Sequence, residues 1–224
     1  MRVAAQERPD VDSIAVLDTD GGVFDSGLQG QHCWLEFEDG KRVDLAVQQW
    51  ISAPDAADEM LLGPCSGPTL DVGCGPGRLA AELGERGIIV LGVDTSPTAV
   101  RLTRVRGGNA LRRDVFGPVP GEGRWAHVLL ADGNIGIGGD PVQLLRRAEQ
   151  LLAPGGNIIV EVAAPGTGLV RTVARLATSR GRGRWFRWAV LGTDGVDVVA
   201  AEAGLVVRSS TQHSDRHFVE LVAG

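Results

Sequence analysis

The sequence predicts an α/β fold, a doubly wound, mostly parallel sheet of seven strands with helices on both faces. From residue 69 onward, short apolar runs alternate with helical patterns, as in sheets whose strands are joined by crossover helices. A glycine-rich turn joins the first apolar run to the first helical pattern. The 224 residues, of which 43% are apolar, suffice for one domain with a buried core.

Each strand is predicted by an apolar run between turn signals. The seven runs cover residues 69–72, 88–93, 110–112, 127–131, 157–162, 205–210 and 218–222. The helical patterns between them cover residues 78–86, 97–106, 141–152 and 192–203. Ser96 and Asp140 are predicted N-caps, because each is followed by a proline at the first helical position. Gly204 is the predicted C-terminal glycine of the last helix.

The first 50 residues are predicted to form a separate unit, an acidic arm with a β-hairpin, ahead of a main domain over residues 51–224. Residues 1–30 are acidic and weakly periodic, so they bury little apolar surface on their own. We therefore expect this arm to be poorly ordered or to fold over the ligand site as a lid.

A β-hairpin and a short helix are predicted between the arm and the main domain. Residues 32–37 and 42–47 alternate apolar and polar side chains on either side of Asp39 and Gly40. An Asp-Gly pair between alternating runs is a strong hairpin signal. Residues 54–62 are predicted to be helical because a proline opens the pattern.

Composition and charge exclude several classes of protein. The net charge is −6 and the sequence pI about 5.2, which disfavours a general role in coating nucleic acid. No apolar run approaches the roughly 18 residues that a membrane-spanning helix needs. The three cysteines, Cys33, Cys65 and Cys74, form neither a disulfide framework nor a zinc-binding pattern. We therefore expect a cytoplasmic protein without a metal.

The loop after the first strand is typical of a nucleotide-like cofactor site. Gly73, Gly75 and Gly77 alternate with other residues between a strand and a helix, and glycine lets the backbone approach a ligand closely. The dinucleotide-binding fingerprint G-x-G-x-x-G would need its third glycine at position 78, which is Arg78. The spacing therefore argues against a dinucleotide.

With the acid Asp71 two residues before Gly73, the sequence resembles the class I S-adenosylmethionine-dependent methyltransferases. Their motif is acid-x-G-x-G-x-G at the end of the first strand. Three further features follow in the family's order: Asp94 at the end of the next strand, Asp114 after the third, and a Leu-Leu-Ala-Pro-Gly-Gly turn at residues 151–156. The ordered set is more specific than the glycine loop alone.

The resemblance implies a Rossmann-like fold with a reversed seventh strand and S-adenosylmethionine as cofactor. It implies that Asp71 helps to hold the loop and the cofactor's amino group, Asp94 the ribose hydroxyls and Asp114 the adenine. Cys74 is expected to pack in the loop rather than react. The implied cofactor-binding residues are Asp71, Gly73, Cys74, Gly75, Gly77, Asp94, Thr95, Asp114, Val115 and Ala131.

The glycine-rich segment 132–141, after the predicted fourth strand, is expected to face the methyl acceptor. Asp132 and Asn134 are its candidate catalytic residues, and Asn134 is expected to orient the acceptor. The segment lacks the Asn/Asp-Pro-Pro-aromatic motif with which the family methylates exocyclic base nitrogens. It resembles a loop in a small group of bacterial methyltransferases whose substrates are unassigned. A plain glycine-rich entry into the next helix stays an alternative.

Residues 163–191 form an insertion with two open interpretations. Its aromatic run, residues 185–188, either walls the acceptor pocket or belongs to a lid helix packed on the sheet edge. Arg171 and Arg175 are expected to share a helix face. The insertion carries six arginines, which are compatible with a solvated surface, an anionic small acceptor or an RNA backbone. The six are Arg171, Arg175, Arg180, Arg182, Arg184 and Arg187.

These observations predict an S-adenosylmethionine-dependent methyltransferase that acts on a small-molecule acceptor. An anionic acceptor is compatible with this prediction. Nucleic acid is not an expected partner, because the net charge is negative and the base-methylating motif is missing. Two rival functions stay open. One is an RNA or protein methyltransferase, and the other is a non-catalytic cofactor-binding protein of the same fold, since no general base is evident in the sequence.

Overall fold

A computed structural model describes residues 22–224, and the prediction for the arm before residue 22 lies outside them. The main sheet has seven strands in the order β11-β12-β7-β6-β3-β4-β5. Pairings among β7, β6, β3, β4 and β5 are parallel, whereas β12 is antiparallel to both of its neighbours. The α/β Rossmann-like fold and the seven strands are thus confirmed, with a mixed sheet. Its strands are β3 (Thr69–Val72), β4 (Val90–Asp94), β5 (Ala110–Arg112), β6 (Trp125–Leu130), β7 (Leu152–Val162), β11 (Leu205–His213) and β12 (Arg216–Ala223).

Helices cover both faces of this sheet. The longer ones begin as the sequence predicts: the Ser96 hydroxyl accepts a hydrogen bond from the Ala99 amide at 3.1 Å, and the Asp140 carboxylate accepts one from the Val142 amide at 3.1 Å. The last helix begins four residues later than predicted, because a short 3₁₀ turn occupies residues 193–195. The helices are α1 (Asp25–Leu28), α2 (Val47–Ile51), α3 (Glu59–Leu62), α4 (Arg78–Glu85), α5 (Pro97–Val105), α6 (Pro141–Leu151) and α7 (Val196–Ala203).

The buried strand β6 shows how one sheet serves two cores. Val128 and Leu130 pack into the cluster that contains the apolar faces of α6 and α7. Leu129, between them, packs with α3 and α4 on the opposite face. Successive side chains of a strand point to opposite faces, so a strand covered by helices on both sides is apolar throughout. Because β3, β4, β5 and β6 run parallel to one another, their carboxyl ends meet at one edge of the sheet. Ligands bind at this edge in doubly wound sheets.

The insertion forms a second, antiparallel sheet rather than a lid helix. Its strands β8 (Leu169–Thr178), β9 (Gly181–Arg182) and β10 (Phe186–Leu191) pair with one another and, through β8, with the N-terminal hairpin β1 (Trp34–Phe37) and β2 (Arg42–Asp44). The helix expected around Arg171 and Arg175 is therefore wrong. The two arginines still share a face, because residues four apart in a strand point the same way.

The segment between the hairpin and β3 differs from its prediction. The alternation over residues 42–47 ends as a strand at Asp44, and α2 begins at Val47. The predicted helix over residues 54–62 is shortened to α3. The Asp55 carboxylate accepts hydrogen bonds from the Ala57 and Asp58 amides at 2.9 and 3.0 Å, which stabilises a turn in place of the first helical turn.

In the part of the chain from residue 22 onward, none of the helices is long and apolar enough to cross a bilayer.

Candidate cofactor and acceptor site

The glycine loop after β3 forms one side of a pocket at the carboxyl edge of the sheet. Gly73 and Gly75 have φ values of 71° and 53°, a region that strains residues with a side chain. The Gly73 and Cys74 amides donate to the Val93 carbonyl at 2.8 and 3.2 Å, which ties the loop to β4. A Cβ added at Gly73 would lie 2.6 Å from Nδ2 of Asn134. The loop thus needs glycine for both its conformation and its contacts.

Two predicted cofactor residues in this loop serve packing. Gly77 does not line the pocket; it adopts φ 81° at the start of α4, and a Cβ there would lie 2.5 Å from Cγ2 of Thr103 on α5. The Cys74 side chain is buried, with Sγ 3.6 Å from the Thr103 hydroxyl, and burial raises the pKa of its thiol. A protonated, buried thiol is a packing group, as the sequence predicts.

Asn134 holds the glycine loop from the opposite side. Its Nδ2 donates to the carbonyl oxygens of Val72 and Gly73 at 2.9 and 3.0 Å. The residue lines the pocket, but its two amide protons are committed to the loop. The role of Asn134 in orienting the acceptor stays a prediction.

Asp94 ends β4 and lines the pocket beside Thr95. Its Oδ2 accepts a hydrogen bond from the Gly75 amide at 3.1 Å, and its Oδ1 accepts one from the Ser96 amide at 2.8 Å. Burial raises the pKa of this carboxyl, and the Ser96 and Gly75 amides oppose that effect. Each carboxylate oxygen has a second lone pair, so Asp94 can accept two further hydrogen bonds from a ligand.

Asp71 is the most deeply buried carboxyl in the pocket lining, with 2% of its surface exposed. Burial raises its pKa to about 7, although the nearby Arg78 guanidinium lowers it. A carboxyl in this state favours a cationic partner, since a nearby positive charge stabilises its ionised form.

The residues that follow β5 form the rim of the pocket. Asp114 is exposed, and its Oδ1 accepts a hydrogen bond from the Phe116 amide at 3.0 Å. Val115 beside it is buried, and Arg113 lines the same rim. Ala131 lines the pocket from the end of β6. Apart from Gly77, all predicted cofactor residues are therefore part of one cavity.

Asp132 belongs to a buried ionic network that the sequence does not reveal. Arg78 donates from Nη2 to both Asp132 and Asp58, at 3.1 and 2.8 Å, and its side chain is only 4% exposed. Arg216, from β12, donates to Asp58 at 2.9 Å and to Glu161 at 2.7 and 2.9 Å. Asp55 also accepts a hydrogen bond from Arg216, at 3.4 Å, so four carboxylates share two guanidinium groups in this network.

The backbone of Asp132 is itself unusual. Its φ is 53°, a left-handed conformation that few residues other than glycine adopt. The Asp132 amide donates to Oε2 of Glu161 at 2.8 Å, and Gln49 from α2 donates to Oδ1 at 3.3 Å. Strained residues of this kind persist where the surrounding structure fixes them. Arg78, Glu161 and Gln49 together fix the Asp132 carboxylate at the pocket wall.

The part of the predicted arm that the structure describes covers the pocket. Phe24, directly before α1, and Leu28, the last residue of α1, line the cavity. Asp25 attaches α1 to the start of α5, because its carboxylate accepts hydrogen bonds from the Ser96 and Thr98 hydroxyls at 2.6 and 2.7 Å. Sequence patterns give no signal for this contact, since the partners are 71 and 73 residues apart.

Apolar and aromatic side chains from α1, α2 and the second sheet face the strand ends. These side chains and the strand ends line one cavity, so its two sides differ in polarity. The apolar side chains of this roof are Val23, Phe24, Leu28, Leu35, Leu45, Trp50, Ile137 and Trp188.

None of the six arginines of the insertion lines this pocket. Arg171 pairs with Asp140 at 3.2 Å. Arg175 and Arg182 pair with the buried Glu36 at 3.4 and 2.7 Å, on the outer face of the second sheet. Of the three interpretations of these arginines, an anionic small acceptor in this pocket therefore receives no support.

Comparisons with known proteins agree with this geometry. A family model described as a methyltransferase domain matches residues 70–158, from β3 into β7. The ribosomal RNA small subunit methyltransferase C of Chromohalobacter salexigens is 32% identical over 152 residues, which is 64% of this chain. The chain spans 40% of the length of that relative.

Solved structures share the fold. An S-adenosylmethionine-dependent methyltransferase from Bacteroides fragilis, in complex with S-adenosylhomocysteine, superposes with a TM-score of 0.75. The match has 20% identity and covers 93% of this chain and 96% of that one. The glycopeptide N-methyltransferase MtfA, complexed with S-adenosylmethionine, has a TM-score of 0.54 and 17% identity over 78% of this chain and 98% of its own.

Residues 70–158 thus match a methyltransferase domain, and the chain has the fold of S-adenosylmethionine-dependent methyltransferases. The methyltransferase domain uses S-adenosylmethionine. Carboxyl groups at three strand ends, Asp71, Asp94 and Asp114, line the pocket together with Gly73 and Gly75, and their roles toward the cofactor stay predictions.

Proposed function

We propose that this protein transfers a methyl group from S-adenosylmethionine to a small-molecule acceptor. The observation that carries the proposal is the division of one pocket into a floor of strand-end carboxylates and a roof of apolar and aromatic side chains. The carboxylates of the floor would hold the cofactor, and the apolar roof would face the acceptor. The glycopeptide N-methyltransferase with the same fold has an acceptor that is not a nucleic acid.

The cofactor supplies the methyl group on a sulfonium, and the protein supplies binding and orientation. Asp94 would hold the ribose hydroxyls, Asp71 the amino group and Asp114 the adenine. Asp132 would contact the acceptor from the wall of the pocket. If the acceptor must lose a proton, the Asp132 carboxylate would receive it, and the hydrogen bonds from Arg78 and Gln49 support this role because they fix the orientation of the carboxylate.

Replacement of Asp94 tests the cofactor assignment. The Asp94→Ala change removes two proposed hydrogen bonds to a diol, which should weaken S-adenosylhomocysteine binding by roughly ten- to a hundredfold. Isothermal calorimetry measures this, with Asp215→Ala as control, since Asp215 is exposed and outside the pocket. Unchanged affinity in Asp94→Ala refutes the ribose assignment, and tighter binding of NAD than of S-adenosylmethionine refutes the proposed function.

Turnover is tested separately from binding. Wild-type protein incubated with S-adenosylmethionine and a mixed metabolite extract should release S-adenosylhomocysteine above the level without extract. Cofactor binding with no release above that level would instead favour a non-catalytic cofactor-binding protein.

An RNA acceptor is a second candidate, favoured by the relative that is a ribosomal RNA methyltransferase. Neutralising several phosphates makes affinity fall steeply with salt. We expect no measurable RNA binding at about physiological ionic strength, where exposed charges more than roughly 8 Å apart are screened. A micromolar complex with ribosomal RNA in that buffer, weakened in an Arg182→Ala, Arg184→Ala double variant, would establish the second candidate instead.

A further inference from the structure

The roof of the pocket is built by parts of the chain outside the matched methyltransferase domain. Three aromatic side chains line it: Phe24 before α1, Trp50 in α2 and Trp188 in β10. The Phe24 ring centroid lies 6.3 Å from that of Trp50 and 5.9 Å from that of Trp188. Edge-on and tilted aromatic rings at these distances stabilise one another. Together they form an aromatic surface that favours flat apolar ligands.

Aliphatic side chains complete the roof. Leu35 on β1 and Leu45 after β2 line the pocket from the second sheet, and Ile137 lines it from the loop after β6. Ile137 packs against both the main core and the core of the second sheet. This part of the pocket therefore removes apolar ligand surface from water, which stabilises a complex by about 25 cal/mol per Å².

The charged side chains of the pocket lining disfavour the binding of an anionic acceptor. Asp71, Asp94, Asp114 and Asp132 contribute four carboxyl groups, and Arg78 and Arg113 contribute two guanidinium groups. Arg78 is buried between Asp58 and Asp132, which use four of its five N–H groups.

Arg113 lies on the exposed rim next to Asp114, where its Nη1 donates to the Arg112 carbonyl. Apart from the cofactor's own sulfonium, an anionic acceptor under the aromatic roof would face four carboxyl groups and only the rim guanidinium of Arg113, and an unpaired buried charge is costly.

We infer that the acceptor is a ring-bearing, apolar molecule without an anionic group, held between the aromatic roof and Asp132. This inference rests on the proposed function and narrows its acceptor class. Neutral heterocycles and cationic amines both satisfy it, since an amine gains cation–π attraction from the roof and a carboxylate partner in Asp132.

Three probes with one ring system and different charges test the inference. Protein saturated with S-adenosylhomocysteine is titrated with 3-methylindole, tryptamine and indole-3-acetate, and binding is followed by ligand-observed NMR. We expect 3-methylindole and tryptamine to bind, and indole-3-acetate to bind at least about tenfold more weakly, a difference of roughly 1.4 kcal/mol. Equal or tighter binding of indole-3-acetate overturns the inference, as does the absence of binding by all three.

A matched pair of variants locates the bound ring. Trp188→Ala should weaken 3-methylindole binding by about tenfold or more, because a central aromatic contact is lost. Trp34→Ala should leave it unchanged, since Trp34 is outside the pocket lining and next to Leu35, on the opposite face of β1. An unaffected Trp188→Ala variant overturns the inference. Failure of S-adenosylhomocysteine to bind in the first titration refutes the proposed function instead, so the two failures are distinguishable.

Discussion

The side chain of Asn134 occupies the space that a Cβ at Gly73 would need, and its Nδ2 donates to the Gly73 carbonyl at 3.0 Å. The loop after β6 and the loop after β3 are therefore built against each other. A second hydrogen bond from the same nitrogen, to the Val72 carbonyl at 2.9 Å, fixes the direction in which the glycine loop leaves β3.

Asn134→Ala should consequently weaken cofactor binding as well as turnover. It removes two hydrogen bonds worth about 0.5–1.5 kcal/mol each, and a loss of 1–2 kcal/mol corresponds to roughly 5- to 30-fold in S-adenosylhomocysteine affinity. Calorimetry measures the change, with Gln143→Ala on the exposed face of α6 as control. Unchanged affinity with reduced turnover would restore the simpler role of orienting the acceptor.

The sequence predicted the parts of the fold that depend on local patterns. The strand from Thr69 to Val72 is apolar enough to be buried on both faces, and Ser96-Pro97 and Asp140-Pro141 carry complete helix starts. The same is true of the glycine loop, whose spacing alone separates it from dinucleotide sites. These features are readable because each is decided within a few residues.

The rest depends on pairings between distant segments. β1 pairs with β8 so that Glu36 lies opposite Arg175, although the two residues are 139 positions apart in the sequence. The hydrophobic periodicity of a strand does not predict a partner at this distance. Arg78 follows the glycine loop directly, so its position was visible, but its role requires Asp58 and Asp132 from other elements. The ionic network and the pairing of β1 with β8 were missed for this reason, whereas the arm and the aromatic run 185–188 were each predicted, as one of two alternatives, to cover the pocket.

Cofactor affinity should rise with pH through the pKa of Asp71. Burial raises that pKa to about 7, so the carboxyl is largely protonated below this pH and must ionise to pair with the cofactor's cationic amino group. S-adenosylhomocysteine should bind more tightly as the pH increases from about 5.5 to 8, and Asp71→Asn should bind weakly without this dependence. Calorimetry across this range measures it, and 5′-methylthioadenosine, which lacks the amino group, should show no dependence on Asp71.

The same pKa shift affects stability with a defined sign. A carboxyl whose pKa is raised on folding favours the folded state at low pH and loses that contribution as the pH rises from about 4 through 7. The ligand-free Asp71→Asn variant should therefore lose less stability than the wild type over that interval, as measured by urea denaturation. A parallel decline in the two proteins would contradict the assignment.

Asp25 should control how fast the cofactor leaves. Its two hydrogen bonds to Ser96 and Thr98 hold α1 over the pocket, and bonds to a charged group are worth about 1.5–3 kcal/mol each when well formed. Both are partly exposed, so we expect Asp25→Ala to weaken closure by about 1–2 kcal/mol and to speed S-adenosylhomocysteine release roughly 5- to 30-fold. Stopped-flow displacement measures the rate. Thr98→Val removes one of the two bonds without touching the helix cap at Ser96 and should have a smaller effect, and equal release rates in all three proteins would mean that α1 does not gate the pocket.

Two glycines of the loop after β6 should respond differently to alanine. Gly133 has φ 82° with no atom within 4 Å of an added Cβ, so Gly133→Ala should destabilise the protein by about 1–2 kcal/mol through backbone strain alone. Gly136 lies against β10, where a Cβ would run into the Ala189 carbonyl oxygen and the Trp188 ring. Because a backbone atom cannot move aside alone, Gly136→Ala should displace β10, cost about 2–4 kcal/mol and shift Trp188 in the aromatic roof.

Urea denaturation followed by tryptophan fluorescence gives the free energies of unfolding of both variants, and the binding of 3-methylindole to folded protein reports on the roof. Weaker 3-methylindole binding in Gly136→Ala but not in Gly133→Ala is the expected result, since only the first change reaches Trp188. The same loss in both variants would mean that the loop acts on the roof through its backbone conformation rather than through its close contact with β10.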